Sequence, residues 1–223
     1  MAHLKIGSRP STLAIRQAYE AIKLIRASNP DTDFEIIGIP TPGDRDKVTP
    51  ISDIDGSDFF TKEIDEALLS GAIDLAVHSS KDLPLELRKG LKVIFETDSV
   101  SPYDTLVSRN DLKLSQLPAG WRVGTSSSRR KEDLLLLRED LKVVDIRGTI
   151  EERLALLDNG KIDALIVAEA ALIRLGLKGR IAEVFPEEIF RTHPKQGRLS
   201  IIAKAPGLIV SAGVPFLARR ISG

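Results

Sequence analysis

The segment Asp74–Pro84 places four polar side chains directly after an apolar run. Leu75–Val77 is typical of a buried strand, and Ser79–Asp82 then supplies two hydroxyls, an ammonium group and a carboxylate. A carboxylate among cations can stabilise a developing positive charge and carry protons. Asp82 can equally be a plain ion-pair partner of Lys81 or of an arginine, and the residues alone leave both interpretations open.

Three further strand-like runs also end in hydroxyls and cations. In open α/β sheets, ligands bind beyond the carboxyl ends of the strands, and arginine pairs bidentately with carboxylates and phosphates. One such loop is explained by helix capping and surface charge, but four of them indicate a polyanionic ligand, which we expect in a cleft between two domains. The three further loops are Ser8–Ser11, Thr125–Arg130 and Arg147–Thr149, the last followed about one helical turn later by Arg153.

Composition limits the classes of partner. Basic and acidic residues are equal at 32 each among 223 residues, so no bulk charge attracts nucleic acid or an anionic membrane. The sequence has no cysteine, which excludes disulfides, thiolate catalysis and cysteine-ligated metals within it. No apolar run approaches the ~20 residues of a membrane helix, and no signal-peptide pattern opens the sequence. We therefore expect a cytoplasmic protein. We also expect no metal cluster, because His3 and His193 are isolated in the sequence.

Short β-branched runs alternate with amphipathic stretches along nearly the whole chain. This alternation predicts an α/β protein in which parallel strands are joined by crossover helices. The predicted strands are His3–Gly7, Phe34–Ile39, Asp74–His78, Leu91–Phe95, Thr105–Ser108, Arg122–Gly124, Val143–Ile146, Ala164–Ala168 and Leu199–Ala203. The predicted helices are Thr12–Ala27, Phe59–Leu69, Arg129–Arg138, Ile150–Leu157 and Glu169–Leu175.

Two pairs of similar segments indicate an internal repeat. Ser70–Val77 resembles Asn159–Ile166, and in both a glycine ends a helix before an Ile-Asp pair leads into a strand. Lys5–Arg9 likewise parallels Arg122–Ser126. We therefore predict two similar three-layer α/β domains with a double crossover between them. The predicted boundaries are 1–99 plus 192–206 for domain 1, 100–191 for domain 2 and 207–223 for a tail.

Six motifs occur together in an order that resembles the hydroxymethylbilane synthase family, also called porphobilinogen deaminase. They are spread over roughly residues 3–204. The resemblance implies a type II periplasmic-binding-protein-like fold for the two domains, which agrees with the repeat. The motifs are Ile6–Arg9, Phe60–Glu63, His78–Pro84, Gly124–Arg130, Asp145–Thr149 and Leu172–Leu177.

The resemblance also implies a reaction in porphyrin and heme biosynthesis. Family members release ammonia from porphobilinogen, a pyrrole that bears acetate and propionate, and join four units head to tail on a dipyrromethane cofactor. Asp82 matches the catalytic aspartate, which balances the cationic azafulvene formed as ammonia leaves. The residues that match carboxylate-binding cations are Arg9, Lys81, Arg129, Arg130, Arg147 and Arg153, and those that match hydroxyls near the cofactor are Ser11, Ser79, Thr125 and Ser127.

Several features depart from the family pattern. The family attaches its cofactor through a cysteine on a small third domain, and we expect that domain to be absent here. Acidic residues occupy Asp53–Asp58, where the family has cofactor-contacting lysines. Pro42 stands at a basic position of the Thr-x-Gly-Asp motif, and Lys195–Gly197 stands in place of a Gly-Gln-Gly motif.

Two functional hypotheses therefore compete. The first is a short transferase that acts on porphobilinogen and holds its dipyrromethane primer without a thioether; a separate chain could supply the missing domain. The retained Asp82 favours this enzyme. The second is a non-catalytic cytoplasmic binding protein for linear pyrrole polycarboxylates, which the lack of cysteine and the acidic loop favour. A general small-anion binding protein is a weaker third, because solute-binding proteins of this fold are exported with a signal peptide.

Overall fold

The computed structural model describes residues 3–46 and 58–205. The predicted tail and all but the last residue of the acidic segment Asp53–Asp58 lie outside the described residues. The described strands are β1 His3–Ser8, β2 Asp33–Gly38, β3 Leu75–Ser79, β4 Leu91–Glu96, β5 Asp104–Ser108, β6 Arg122–Gly124, β7 Lys142–Val144, β8 Ala164–Ala168, β9 Glu183–Phe185 and β10 Leu199–Lys204. The described helices are α1 Thr12–Arg26, α2 Pro42–Arg45, α3 Lys62–Ser70, α4 Ser128–Leu137, α5 Ile150–Asp158 and α6 Glu169–Leu175.

The described residues divide into two compact units, each with one five-stranded sheet. The first unit takes in residues 3–45, 58–98 and 198–205, and the second takes in Asp46 and residues 99–197. The strand order is β2-β1-β3-β10-β4 in the first sheet and β7-β6-β8-β5-β9 in the second. The fourth strand of each order is antiparallel to both of its neighbours, and the first three are parallel. The two sheets therefore share one plan, as the internal repeat predicts.

Two details of the sheets differ from the sequence-based expectation. The sheets are mixed rather than wholly parallel, because β5 and β10 each follow a segment that arrives from the other unit instead of a crossover helix. The strand β9 was not predicted. It has only three residues, and the side chain of its central Val184 is exposed, so the sequence carries no buried apolar run there.

The repeat extends to matching hydrogen bonds at the start of a strand. Asp74 donates its backbone N–H to the Lys5 carbonyl at 2.9 Å, and its Oδ2 accepts from the Lys5 N–H at 2.8 Å. Asp163 makes the same two bonds with Arg122, at 2.8 and 3.0 Å. The aspartate of each Ile-Asp pair thus closes the pairing of two parallel strands in its own sheet.

Helices cover both faces of each sheet, which gives each unit three layers. In the first unit, α1 packs Ile22 and Ile25 with Leu75 on one face, while α3 packs Ile64 with Ala76 on the other. In the second unit, the side chains of α4 and of α5 and α6 join separate apolar clusters. Burial of each large apolar side chain contributes roughly 1.5–3 kcal/mol, and these clusters hold the helices against the strands.

The part of the chain that the structure describes lacks two kinds of feature. None of the described helices combines the length and the apolar character that a membrane crossing needs. The same residues contain no group of three or more His, Cys, Asp or Glu side chains that could hold a metal ion.

Candidate functional site

The first unit brings two of the predicted loops to one edge of its sheet. β1 and β3 are adjacent and parallel, so the segments that follow them, Ser8–Ser11 and Ser79–Asp82, leave the sheet at the same edge. This edge is the carboxyl end of parallel strands, where the ligands of open α/β sheets bind.

Asp82 ends a single 3₁₀ turn over Ser80–Asp82. The backbone N–H of Ser80 donates to the Arg198 carbonyl at 3.0 Å, and its hydroxyl oxygen lies 2.7 Å from that of Ser200. The Asp82 side chain is exposed, and no residue that the structure describes bonds to its carboxylate. A turn that is fixed at its first residue therefore presents an accessible carboxylate at its last.

Arg9 lies after β1 and is held from two sides. Its Nε and Nη2 atoms donate to Asp44 Oδ1 at 3.0 and 2.5 Å, and its guanidinium carbon lies 4.8 Å from the centre of the Phe60 ring. Burial raises the pKa of the Asp44 carboxyl, but hydrogen bonds from Arg9 and Thr41 outweigh this effect, so the pKa is lowered. Lys81, the second predicted cation at this edge, is half-buried.

The four predicted hydroxyls each have a local hydrogen-bond partner. Ser11 caps α1, and Ser127 caps α4, each by accepting from a backbone N–H of the first helical turn. The Ser79 hydroxyl accepts from Gln17 Nε2 at 3.0 Å, and the Thr125 hydroxyl accepts from the Ser127 N–H at 3.3 Å. Each hydroxyl therefore stabilises the conformation of its loop. Because a hydroxyl has one hydrogen and two lone pairs, each of them can still form a further hydrogen bond with a ligand.

The second unit brings the other two loops to one edge in the same way. β6 and β7 are adjacent and parallel, so Thr125–Arg130 and Arg147–Thr149 follow neighbouring strand ends. Thr149 begins α5 with a capping box, in which its hydroxyl accepts from the Glu152 N–H at 3.2 Å while Glu152 Oε2 accepts from the Thr149 N–H at 2.8 Å. The cap fixes the direction in which the chain leaves the edge.

Arg129 and Arg130 share one buried carboxylate, that of Asp104. Arg129 Nη2 donates to Asp104 Oδ2 at 2.9 Å, and Arg130 Nη2 donates to Asp104 Oδ1 at 2.6 Å. The Arg130 side chain is only 8% exposed, whereas that of Arg129 is 25% exposed. Arg129 Nη1 also lies 3.8 Å from Asp133 Oδ2, so a second carboxylate faces this pair of guanidinium groups. Both arginines lie in the first turn of α4, where the helix dipole favours an anion.

Gln196 completes the surroundings of Asp104, and sequence reasoning missed both residues. Gln196 Nε2 donates to Asp104 Oδ1 at 2.9 Å and to the Pro102 carbonyl at 2.8 Å. Asp104 is the first residue of a strand whose side chains are all buried. The sequence carries little signal for this pair, because Asp104 directly precedes the predicted strand Thr105–Ser108 and a polar residue at a strand end is ordinary.

Arg147 and Arg153 are half-buried and each bonds to a backbone carbonyl. Arg147 Nη2 donates to the Asp46 carbonyl at 3.0 Å, and Arg153 Nε donates to the Gly148 carbonyl at 2.9 Å. Arg153 therefore turns back toward the loop that precedes its own helix. Both side chains are held near the strand edge rather than extended into solvent.

Several guanidinium nitrogens of the second unit are buried without an acceptor. Within residues 3–46 and 58–205, Arg129 Nη1, Arg130 Nε and Arg147 Nη1 have no hydrogen-bond partner. Buried donors are rarely left unpaired, because each costs about 1–3 kcal/mol. Carboxylate oxygens of a ligand would supply the acceptors that these arginines lack.

His78 is buried on β3, and its Nε2 lacks a hydrogen-bond partner among the described residues. Burial, together with the nearby charge of Arg9, lowers the pKa of His78 to about 4. The imidazole is therefore neutral at pH 7.

Comparison with known proteins identifies the family. A family model described as "Porphobilinogen deaminase, dipyromethane cofactor binding domain" matches residues 4–207. This chain belongs to the porphobilinogen deaminase family. It is 40% identical over 218 residues to the porphobilinogen deaminase of Dichelobacter nodosus, which is 98% of this chain and 69% of the relative. It is 41% identical over 213 residues to that of Pelobacter propionicus, which is 96% of this chain and 68% of the relative. The chain thus spans about two thirds of the length of these relatives.

Solved structures with low sequence identity share the fold. The effector-binding domain of BenM with benzoate matches with a TM-score of 0.55 and 14% identity, over 98% of this chain and 91% of that one. The regulatory domain of an OxyR2 mutant from Vibrio vulnificus matches with a TM-score of 0.54 and 15% identity, over 100% of this chain and 95% of that one. These matches confirm the predicted type II periplasmic-binding-protein-like plan.

The matched family domain binds a dipyrromethane cofactor. The described residues fit such a group, because the buried Arg130 Nε and Arg147 Nη1 lack acceptors that pyrrole carboxylates would provide. The sequence has no cysteine, so a thioether to the cofactor cannot form within it.

Proposed function

We propose that this chain acts as a transferase that deaminates porphobilinogen and joins pyrrole units head to tail into a linear tetrapyrrole. The observation that carries the proposal is the accessible carboxylate of Asp82, in the turn that follows the carboxyl end of β3. The chain that carries it is about 40% identical to porphobilinogen deaminases. A protein that only binds pyrrole carboxylates needs the cations, but it does not need an acceptor-only group beside them.

Asp82 is proposed as the catalytic residue. As ammonia leaves the aminomethyl group of porphobilinogen, the carbon–nitrogen bond breaks and positive charge spreads over the pyrrole ring. The Asp82 carboxylate neutralises this charge where it develops. The free ring carbon of the neighbouring pyrrole then forms a carbon–carbon bond to the methylene of this cation. The same ring carbon loses its proton, which restores the aromatic ring, and Asp82 can accept that proton.

The cations are proposed to bind the acetate and propionate groups. In the first unit these are Arg9 and Lys81; in the second they are Arg129, Arg130, Arg147 and Arg153. The buried nitrogens of Arg130 and Arg147 that have no hydrogen-bond acceptor among the described residues support this assignment. Dipyrromethane, when bound, would supply the primer to which pyrrole units are added, and these arginines are the residues that would hold it.

The test is an assay with porphobilinogen, with and without added free dipyrromethane primer. The parent chain should consume the substrate and yield a tetrapyrrole that absorbs strongly after oxidation. Asp82→Asn should lower the rate at least ~10²-fold while calorimetric binding of porphobilinogen is largely kept. Asp31→Asn, which changes an exposed aspartate on a loop before β2, serves as the matched control and should keep the parental rate.

Two results would contradict the proposal. Asp82→Asn with the parental rate would remove Asp82 from the chemistry. Tight binding of porphobilinogen by a parent that never consumes it, even with primer, would instead identify a binding protein. Consumption that appears only after a cysteine-bearing chain is added would show that the partner proposed from the resemblance is required.

We also propose a cytoplasmic location, which cell fractionation would test.

A further inference from the structure

We propose that Asp44 and Phe60 are positioning residues that fix the guanidinium of Arg9, so that a ligand carboxylate meets only its Nη1/Nη2 edge. This inference deepens the proposed function, on which it rests, by giving two residues outside the predicted set a defined part in carboxylate binding. Both residues lie in the first unit, as does Arg9.

Asp44 occupies one edge of the Arg9 guanidinium completely. Arg9 Nε and Nη2 both donate to Asp44 Oδ1, at 3.0 and 2.5 Å. Asp44 Oδ2 is used as well, because it accepts from the backbone N–H and the hydroxyl of Thr41, each at 2.9 Å. Thr41 is fully buried. The Asp44 carboxylate is therefore held through both oxygens and cannot rotate without breaking its bonds to Thr41.

Phe60 covers one face of the same guanidinium. The centre of its ring lies 4.8 Å from Arg9 Cζ, within the range of a cation–π contact. Gly43 packs directly against the same ring, because a Cβ at this position would overlap the ring atoms. Phe60 falls within the predicted helix Phe59–Leu69, but α3 begins at Lys62 and Phe60 is half-buried against Arg9.

These contacts leave one edge of Arg9 available. No residue in the described part of the chain accepts a hydrogen bond from Nη1, and the Arg9 side chain is 27% exposed. A guanidinium has five N–H groups, and the Nη1/Nη2 edge can form two parallel bonds with a carboxylate. Asp44 and Phe60 already restrict the Arg9 side chain before a ligand binds. Less side-chain entropy is therefore lost when the ligand binds, which favours binding.

A purely structural role makes a different prediction. If Asp44 only ties the Thr41–Arg45 segment to the strand β1, its replacement should lower stability without changing ligand affinity. A positioning role requires that affinity falls while the fold is kept. The ion pair between Arg45, whose side chain is 61% exposed, and the half-buried Glu63 also lies in the first unit and provides a control that lacks contact with Arg9.

The experiment combines arginine Nε NMR spectra with calorimetric titration of porphobilinogen, on the parent, Asp44→Asn, Phe60→Leu and Glu63→Gln. In the parent, the Arg9 Nε–H signal should be protected from exchange, and Asp44→Asn should abolish that protection. The Kd for porphobilinogen should rise at least ~10-fold in Asp44→Asn and ~3-fold in Phe60→Leu. The Kd of Glu63→Gln should stay within ~2-fold of the parent, because Glu63 pairs with the exposed Arg45 and not with Arg9.

Thr41→Val is the second variant if Asp44→Asn fails to fold, since it removes only one bond to Asp44 and should weaken binding in the same direction. Unchanged Kd values in folded variants that have lost the protected Nε–H would overturn the inference. If the parent does not bind porphobilinogen, the proposed function fails and glutarate serves as the probe. An Arg9 shift on glutarate titration in the parent alone would still support the positioning role, and no shift in either protein would refute it.

Discussion

The free energy of unfolding of Asp65→Asn, relative to that of the parent, should rise as the pH rises. Asp65 lies on α3, its side chain is fully buried, and neither carboxylate oxygen has a hydrogen-bond partner among the described residues. Burial raises the pKa of the Asp65 carboxyl to about 6, and the nearby Thr61 hydroxyl and Arg88 guanidinium offset only part of this rise. Ionisation of Asp65 therefore works against the folded state.

The size of the effect follows from the pKa difference between the folded and unfolded chains. The pKa rises from 3.8 to about 6 on folding, and one pKa unit corresponds to about 1.4 kcal/mol. The folded protein holds the proton more tightly, so this contribution to the free energy of unfolding falls as the pH rises from about 4 to 6. The penalty is about 1 kcal/mol at pH 4.5 and about 3 kcal/mol at pH 7.5, a difference of about 2 kcal/mol.

His78 has the opposite pH dependence and masks this effect in the parent. Its pKa falls from 6.5 to about 4 on folding. The unfolded chain binds the proton more tightly, so this contribution to stability is present above about pH 6.5 and is lost as the pH falls toward about 4. The two slopes oppose each other between pH 4 and 6, and only a comparison between variants separates them.

The assay is urea unfolding at pH 4.5 and pH 7.5 on the parent, Asp65→Asn and Glu66→Gln. The unpaired amide that replaces the carboxyl adds a cost of its own, about 1–3 kcal/mol, but that cost does not change with pH. The stability of Asp65→Asn relative to the parent should therefore rise by about 2 kcal/mol between the two pH values. Glu66→Gln, an exposed neighbour on α3, should show no such rise. An equal stability difference at both pH values would refute the reasoning.

Three other substitutions test separate features of the second unit. Asp163→Asn should lower the free energy of unfolding by about 2 kcal/mol at pH 7, because hydrogen bonds from Arg122 lower the pKa of Asp163 to about 2. This contribution to stability is present above about pH 4. Urea unfolding at a series of pH values should show that it vanishes as the pH falls toward 2. Gly197→Ala should lower the thermal midpoint by several degrees, because φ is +80° and a Cβ would overlap a neighbouring carbonyl, whereas Gly179→Ala, with open space around it, should not. Asp104→Asn should cost about 3–5 kcal/mol in urea unfolding, because it leaves two arginines without their buried carboxylate, and a cost below about 1 kcal/mol would contradict the buried pair.

Much of the fold could be predicted because buried strands leave a clear apolar pattern. The run Ala164–Ala168 is apolar at every position and forms β8 with those bounds. The direction of β5 and β10 could not be predicted, because it depends on where the chain enters the sheet and not on the residues of the strand. The short strand β9 pairs with β5 through only a few residues, and its pattern is too brief to be distinguished from a loop.

The candidate site was predictable only in part, for a related reason. The strand-end loops are local, so hydroxyls and cations after an apolar run revealed them. Their partners come from distant segments: Asp44 reaches Arg9 across 35 positions, and Gln196 reaches Asp104 across 92. No local pattern encodes such pairs. The carboxylates that fix the cations were therefore missed, while the cations themselves were named.

The position of β10 between β3 and β4 has a consequence for the order of folding. The second unit draws all five strands of its sheet from the continuous stretch of residues 99–197, but the first unit needs a strand that begins at Leu199. During synthesis, the amino-terminal sheet therefore has a gap at its fourth position, and β3 has an unpaired edge until the last strand arrives.

The turn that carries Asp82 is bonded to Arg198 and Ser200. This loop therefore takes its shape only after the second unit, which is synthesised before residue 199, can already be complete. A nascent chain stalled before residue 199 should accordingly yield a protease-resistant second unit attached to an unprotected amino-terminal segment.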